Sequence, residues 1–99
     1  MRIPSTLKVG KQDYEVRVVR NSPRAGTMGC ISYDRGVIYV ARYSSDDRRY
    51  SQRDMEDTFW HELTHAILKD MGHKLEADER FVTAFASLLT HAVNTAKFK

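Results

Sequence analysis

The chain has 99 residues, 41% of them hydrophobic and 29% charged, and a formal net charge of +3. This length supports one domain with a single small core, here residues 1–99, and the composition excludes a disordered chain. Cys30 is the only cysteine, which excludes an internal disulfide and a thiolate-rich zinc site. We therefore expect a protein of the reducing cytoplasm, with Cys30 as a small buried residue of a strand.

The N-terminal segment has no apolar stretch of the kind that begins a secretory signal. No apolar run approaches the length needed to cross a membrane. Neither export nor membrane insertion is therefore expected.

Two β-hairpins are predicted in the first half of the chain, where apolar residues recur at every second position. The first spans residues 6–20 and turns at Gly10. The second spans residues 30–41 and turns at Gly36. The segment 21–29 between them is rich in turn-forming residues and is predicted to be a loop.

A helix is predicted from residue 52 to residue 71. Ser51 is its expected N-cap, Asp54 completes a near capping box, and Gly72 is expected to end the helix in the left-handed conformation. Its apolar face consists of Met55, Phe59, Leu63, Ala66 and Ile67.

A second helix is predicted from about residue 76 to residue 95, and the short spacer before it makes the two helices an antiparallel pair. One side of it carries Ala77, Phe81, Ala84, Phe85, Leu88 and Ala92. We therefore predict an α+β fold, in which a small antiparallel sheet of about four strands packs on two antiparallel helices.

Charge is spread unevenly along the chain. Residues 1–53 carry 11 Lys or Arg against 5 Asp or Glu, whereas residues 54–99 carry 5 against 8. A basic half can attract nucleic acid or an acidic protein, although a solvated basic surface is the simpler interpretation. The arginines concerned include Arg17, Arg20, Arg24, Arg35, Arg48 and Arg49. No recognition helix or aromatic–basic motif accompanies them.

The first helix contains the sequence His61-Glu62-Leu63-Thr64-His65. Residues four apart lie on nearly the same side of a helix, so His61 and His65 can direct two imidazoles at one metal ion. Glu62 projects about 100° away from His61, outside the ligand set but near enough to reach a zinc-bound water as general base. Zinc with three protein ligands keeps a fourth position for that water. The pattern predicts one catalytic Zn²⁺ per chain.

A third ligand must come from beyond this helix, because Leu68 and Met71 stand where the longer motif has glycine and histidine. Glu79 is our predicted ligand, since it continues an otherwise apolar stripe of the second helix with Val82, Ala86, Leu89 and Val93 and so needs a positive partner. Alternatives remain: Glu76 and Asp78, which are more simply helix-start acids, and His73, which is more simply a turn residue.

The segments FWHELTHAIL and ADERFVTAFASLL, together with the preceding strand GVIYVA, resemble minimal zincin-like metallopeptidases of the gluzincin type. These are small proteins, often phage-encoded, akin to the ImmA/IrrE and SprT-like groups. The resemblance implies His61, His65 and Glu79 as zinc ligands and Glu62 as general base. It also implies a sheet edge that holds an extended protein substrate by strand addition, for which Val37–Ala41 is the predicted strand. The second helix lacks the asparagine of the ImmA/IrrE signature.

The sequence therefore predicts a cytoplasmic zinc metallopeptidase. The resemblance implies that a phage or prophage can encode it and that it would then act in the bacterial host. The alternative is a zinc-containing but non-catalytic module that blocks or recruits a host protein. Nucleic-acid binding through the basic half is a third hypothesis. Zinc peptidases often stabilise the developing oxyanion with a tyrosine, and the sequence does not choose among Tyr33, Tyr39, Tyr43 and Tyr50.

Overall fold

The structure, a computed structural model, describes residues 3–98. Along these residues it contains β1 (Thr6–Val9), β2 (Gln12–Val19), β3 (Gly29–Ser32), β4 (Val37–Ala41), α1 (Gln52–Asp70), a 3₁₀ helix (Lys74–Ala77) and α2 (Glu79–Thr95). The predicted α+β class, with two hairpins and two helices, is confirmed.

The four strands form one mixed sheet in the order β1-β2-β4-β3. Both hairpins are antiparallel as predicted, but β2 and β4 pair in parallel, with Val16 opposite Ile38. The prediction that Val37–Ala41 is an edge strand is wrong, because β4 has a partner on each side. Its nearly continuous apolar run suits a central strand that is buried on both faces, and β3 takes the edge.

The core lies between one face of the sheet and helix α1. Ser51 caps α1 through the predicted capping box with Asp54, and Gly72 follows the helix at φ +67°. Ile67, which was expected on the buried face, is exposed. The buried residues of the core are Val9, Tyr14, Val16, Ile38, Val40, Met55, Phe59, Leu63 and Ala66.

The edge strand β3 lies unusually close to α1 at Gly29. A β-carbon at this position would stand closer than 3.0 Å to the Tyr39 carbonyl oxygen and to the methyl group of Thr58. Only glycine fits there without displacing backbone. This contact holds β3 against the part of α1 that precedes His61.

Helix α2 packs antiparallel on α1. Glu79 at its start reaches His65, while Asn94 near its end donates a 2.8 Å hydrogen bond to Glu56 in the early part of α1. The helix begins at Glu79 and not at residue 76, because residues 74–77 form the 3₁₀ helix and Asp78 is the N-cap.

Helix α2 has two apolar stripes, one continuing from Glu79 with small side chains and one with larger side chains. The stripe with the small side chains is the buried one. Val82, Ala86 and Thr90 are buried against α1, whereas Phe85 is exposed and Leu88 is 72% exposed. Small side chains at the contact allow two helix axes to approach closely, which bulky residues such as Phe85 prevent. The apolar side that carries Phe85 and Leu88 therefore faces away from α1.

Candidate metal centre

Helix α1 presents both histidines of the motif on its side nearest α2. The two imidazole rings are 5.0 Å apart between centroids, as the four-residue spacing requires. His65 is buried and His61 is half-buried. The pair therefore sits at the bottom of a depression and not on an open helix surface.

Glu79 completes a three-residue cluster with these histidines. Its Oε1 lies 2.7 Å from Nε2 of His65, and its Oε2 lies 3.1 Å from Nε2 of His61. One ligand atom from each of the three residues falls within 4.8 Å of the others. The structure thus brings together the three residues that the sequence singled out as zinc ligands.

The position of Glu79 differs from the expected one in two respects. It is the first residue of α2, and its side chain is 67% exposed, although the sequence placed it one turn into the helix and away from solvent. Its carboxylate reaches back over the histidines from the rim of the cluster. One side of the cluster is consequently left open to solvent.

The donor set suits a zinc ion. Two imidazole nitrogens and a carboxylate oxygen are ligands that catalytic zinc sites use. In a tetrahedral site with bonds of about 2.1 Å, neighbouring ligand atoms are about 3.4 Å apart. The 2.7 and 3.1 Å separations here are shorter and involve different oxygens of Glu79, while one ligand atom from each of the three residues lies within 4.8 Å of the others.

The other acidic and histidine candidates have different partners. Asp78 accepts a hydrogen bond from the Phe81 backbone and so caps α2, and His73 Nδ1 accepts one from the Leu75 backbone at the start of the 3₁₀ helix. Glu76 accepts a 2.9 Å hydrogen bond from the Tyr33 hydroxyl. Asp78 and His73 therefore serve as helix caps, whereas Glu76 is directed to the rear of the cluster.

Burial perturbs the ionisable groups of the site. It lowers the pKa of His61, although the nearby Glu79 carboxylate opposes this effect. It raises the pKa of Glu62 to about 7, while the attraction of His65 acts in the opposite direction. A neutral histidine can donate its lone pair to a metal, and a carboxyl group with this pKa can both take up and release a proton near neutral pH.

The cluster lies on an open cleft of about 1160 Å³. Residues of β3 and of the loop before it line this cleft together with His61, Glu62 and His65. Cys30 also lines this cleft and is partly exposed, so the expectation that it is buried is wrong. An extended chain has room to lie between β3 and the cluster.

The four tyrosines that are candidates for stabilising the oxyanion have different surroundings in the structure. Tyr33 and Tyr39 line the cleft. The guanidinium groups of Arg20 and Arg49 instead lie over the Tyr43 ring, at 4.3 and 5.4 Å from its centroid. Tyr50 packs against the hydrophobic core.

The basic residues of the N-terminal half serve several different contacts. Arg24 and Arg35 line the cleft, and Arg17 pairs with Glu15. Arg20 pairs with Asp47 at 3.0 Å. Nucleic-acid binding through these arginines stays a prediction. Within residues 3–98, no helix is both long and apolar enough to cross a membrane.

Comparison of the chain with protein-family models, curated proteins and solved structures gave no match. The resemblance to zincin-like peptidases therefore stays a hypothesis that rests on the motif and on the site.

Proposed function

We propose that this protein is a zinc-dependent peptidase that hydrolyses peptide bonds of an extended protein substrate. The observation that carries the proposal is the convergence of His61, His65 and Glu79 beside Glu62 in an open cleft. A purely structural zinc site has four protein ligands and no need of an adjacent carboxylate. Three converging ligands with an open side are what a catalytic site requires.

His61, His65 and Glu79 would hold the metal. When bound, zinc supplies a Lewis acid that polarises the scissile carbonyl and makes water a nucleophile at neutral pH. The two imidazoles contribute neutral donors and Glu79 contributes one negative charge. The site therefore keeps a net positive charge where the reaction develops negative charge.

Glu62 is the proposed general base and acid. It lines the cleft beside the ligands, and burial raises the pKa of its carboxyl group to about 7 in the metal-free protein. The ionised form accepts a proton from the attacking water, and the protonated form returns it to the leaving amine.

The substrate is proposed to bind along the edge strand β3. Consecutive residues from Met28 to Ser32 line the cleft, and within residues 3–98 the strand β3 pairs only with β4. Backbone groups on the other side of an edge strand are available to an extended peptide. The strand-addition site proposed for this protein is therefore β3, in place of Val37–Ala41.

The proposal is tested by comparing wild-type protein with Glu62→Gln after loading both with one equivalent of zinc. The substrates are dye-quenched casein and an unfolded bacterial proteome, the second analysed for new N-termini by mass spectrometry. We expect cleavage by the wild type and a loss of at least a hundredfold in Glu62→Gln with zinc retained. Glu15→Gln is the matched control, because Glu15 is an exposed residue of β2 that undergoes the same chemical change.

Zinc binding without cleavage of either substrate would contradict the peptidase proposal. It would favour the non-catalytic module, in which the metal holds α2 on α1 and the protein acts by binding a partner. Absence of zinc binding would contradict both functions.

A further inference from the structure

The imidazole of His65 has one nitrogen in the ligand cluster and one behind it. Nε2 faces Glu79, whereas Nδ1 points toward the 3₁₀ helix. The His65 side chain is 10% exposed, and its Nδ1 is buried with no hydrogen-bond partner among residues 3–98. A buried polar nitrogen without a partner is uncommon and calls for a physical reason.

Glu76 stands directly behind this nitrogen. Its Oε1 lies 3.6 Å from Nδ1 of His65, beyond hydrogen-bond range, and accepts the 2.9 Å hydrogen bond from the Tyr33 hydroxyl. The Glu76 side chain is 32% exposed, and the hydrogen bond from the Tyr33 hydroxyl orients its carboxylate. Tyr33 in turn packs against the hydrophobic core.

A 3.6 Å separation is what the Nε2–H tautomer of a neutral His65 would give. When Nε2 carries the hydrogen and directs it at Glu79, a neutral imidazole has a bare Nδ1. Two acceptors, Nδ1 and the Glu76 carboxylate, then face each other and remain apart. For Nε2 to donate its lone pair to a metal, the hydrogen would have to sit on Nδ1, where Glu76 would be its acceptor.

We propose that Glu76, held by Tyr33, is the residue that positions His65 for metal binding by accepting the hydrogen of Nδ1. This inference rests on the metal-binding part of the proposed function. Glu76 fixes the tautomer that leaves Nε2 free, and its negative charge makes the imidazole a stronger donor. Tyr33 belongs to the turn that follows β3 and lines the cleft. Its hydrogen bond to Glu76 therefore links this turn to the metal ligand His65.

The first test measures zinc affinity by competition with a chromophoric chelator. We expect Glu76→Ala and Glu76→Gln to weaken zinc binding tenfold or more, and Tyr33→Phe to weaken it by a smaller factor. The matched control is Asp34→Asn, which removes one negative charge from the exposed turn next to Tyr33. Its affinity should stay within twofold of the wild type. Affinities of both Glu76 variants within twofold of the wild type would overturn the proposal.

The second test distinguishes positioning from direct ligation and from misfolding. In the Co²⁺-loaded protein, loss of a positioning residue keeps the shape of the visible absorption bands, whereas loss of a ligand changes it. We expect Glu76→Gln to retain the wild-type bands and Glu79→Gln to alter them. An altered spectrum in Glu76→Gln would make Glu76 a ligand and overturn the positioning role.

The third readout is the Nδ1–H proton of His65 in the NMR spectrum of the zinc-loaded protein. A hydrogen bond to a carboxylate moves this proton downfield, and Glu76→Gln should return it upfield even if the variant folds normally. No change in its shift would overturn the proposal.

Zinc binding without peptidase activity would contradict the proposed function but not this inference. Absence of zinc binding by the wild type would contradict both.

Discussion

Replacing Glu62 by glutamine is expected to stabilise the metal-free protein at pH 8 and to have a much smaller effect at pH 5. Burial raises the pKa of Glu62 from the usual 4.5 to about 7. Between these values the folded protein retains a proton that the unfolded chain has released. Stability therefore falls as the pH rises through this window, and above pH 7 the folded state bears the full cost of a desolvated carboxylate.

The magnitude follows from the distance between the two pKa values. At about 1.36 kcal/mol per pKa unit, the ionised Glu62 lowers the free energy of unfolding by at most roughly 3 kcal/mol. The side chain is partly exposed, and solvent screening reduces this to about 1–2 kcal/mol. For a domain of this size, that corresponds to an increase in Tm of roughly 5–10 °C in Glu62→Gln at pH 8.

The assay is urea denaturation of chelator-treated protein, followed by circular dichroism at pH 5 and pH 8. The difference between the two variants isolates Glu62, because His61 and the other titrating groups are present in both. Asp34→Asn serves as the control, because Asp34 is an exposed carboxylate in the turn between β3 and β4. Equal effects of Glu62→Gln at both pH values, or a loss of stability at pH 8, would refute this account of the buried carboxylate.

Three further predictions concern the metal and the packing around it. Zinc at a hundredfold excess over its Kd should raise the free energy of unfolding by about 2.7 kcal/mol, and Glu79→Ala should abolish this increase in a thermal melt with and without zinc. Gly29→Ala should cost about 2–4 kcal/mol in urea denaturation, because the new methyl meets the Tyr39 carbonyl and the Thr58 side chain. Adding Thr58→Ser should recover only part of that loss, and full recovery would show that the backbone contact is unimportant. Asp78→Ala should lower stability by about 1 kcal/mol through loss of the α2 N-cap, and an unchanged urea midpoint would contradict that role.

The sequence alone determined the elements whose signals are local. The capping box of Ser51 and Asp54 and the left-handed Gly72 define helix α1 from its own residues. The spacing of His61 and His65 places both imidazoles on one side of that helix whatever surrounds it. These predictions hold because each depends on a few neighbouring residues and on helix geometry.

The choice between the two sides of α2 was decided by tertiary packing. The helix has one stripe with Val82 and Ala86 and another with Phe85 and Leu88, and both are apolar. Hydrophobicity favours the larger side chains, but close approach to α1 needs the smaller ones. The sequence pattern carries no information about the distance between the two helices, and that distance decided which stripe is buried.

Strand order and the surroundings of His65 were likewise settled only in three dimensions. Strand β4 lies between β2 and β3, an order that depends on the path of the loop 20–28. Because of this order, β3 and not β4 is an edge strand. Glu76 and Tyr33 are 43 residues apart and meet only because the turn after β3 lies beside the 3₁₀ helix. Local sequence signals specify helices, turns and the spacing of two ligands, whereas contacts between distant residues follow from the packing of whole elements against one another.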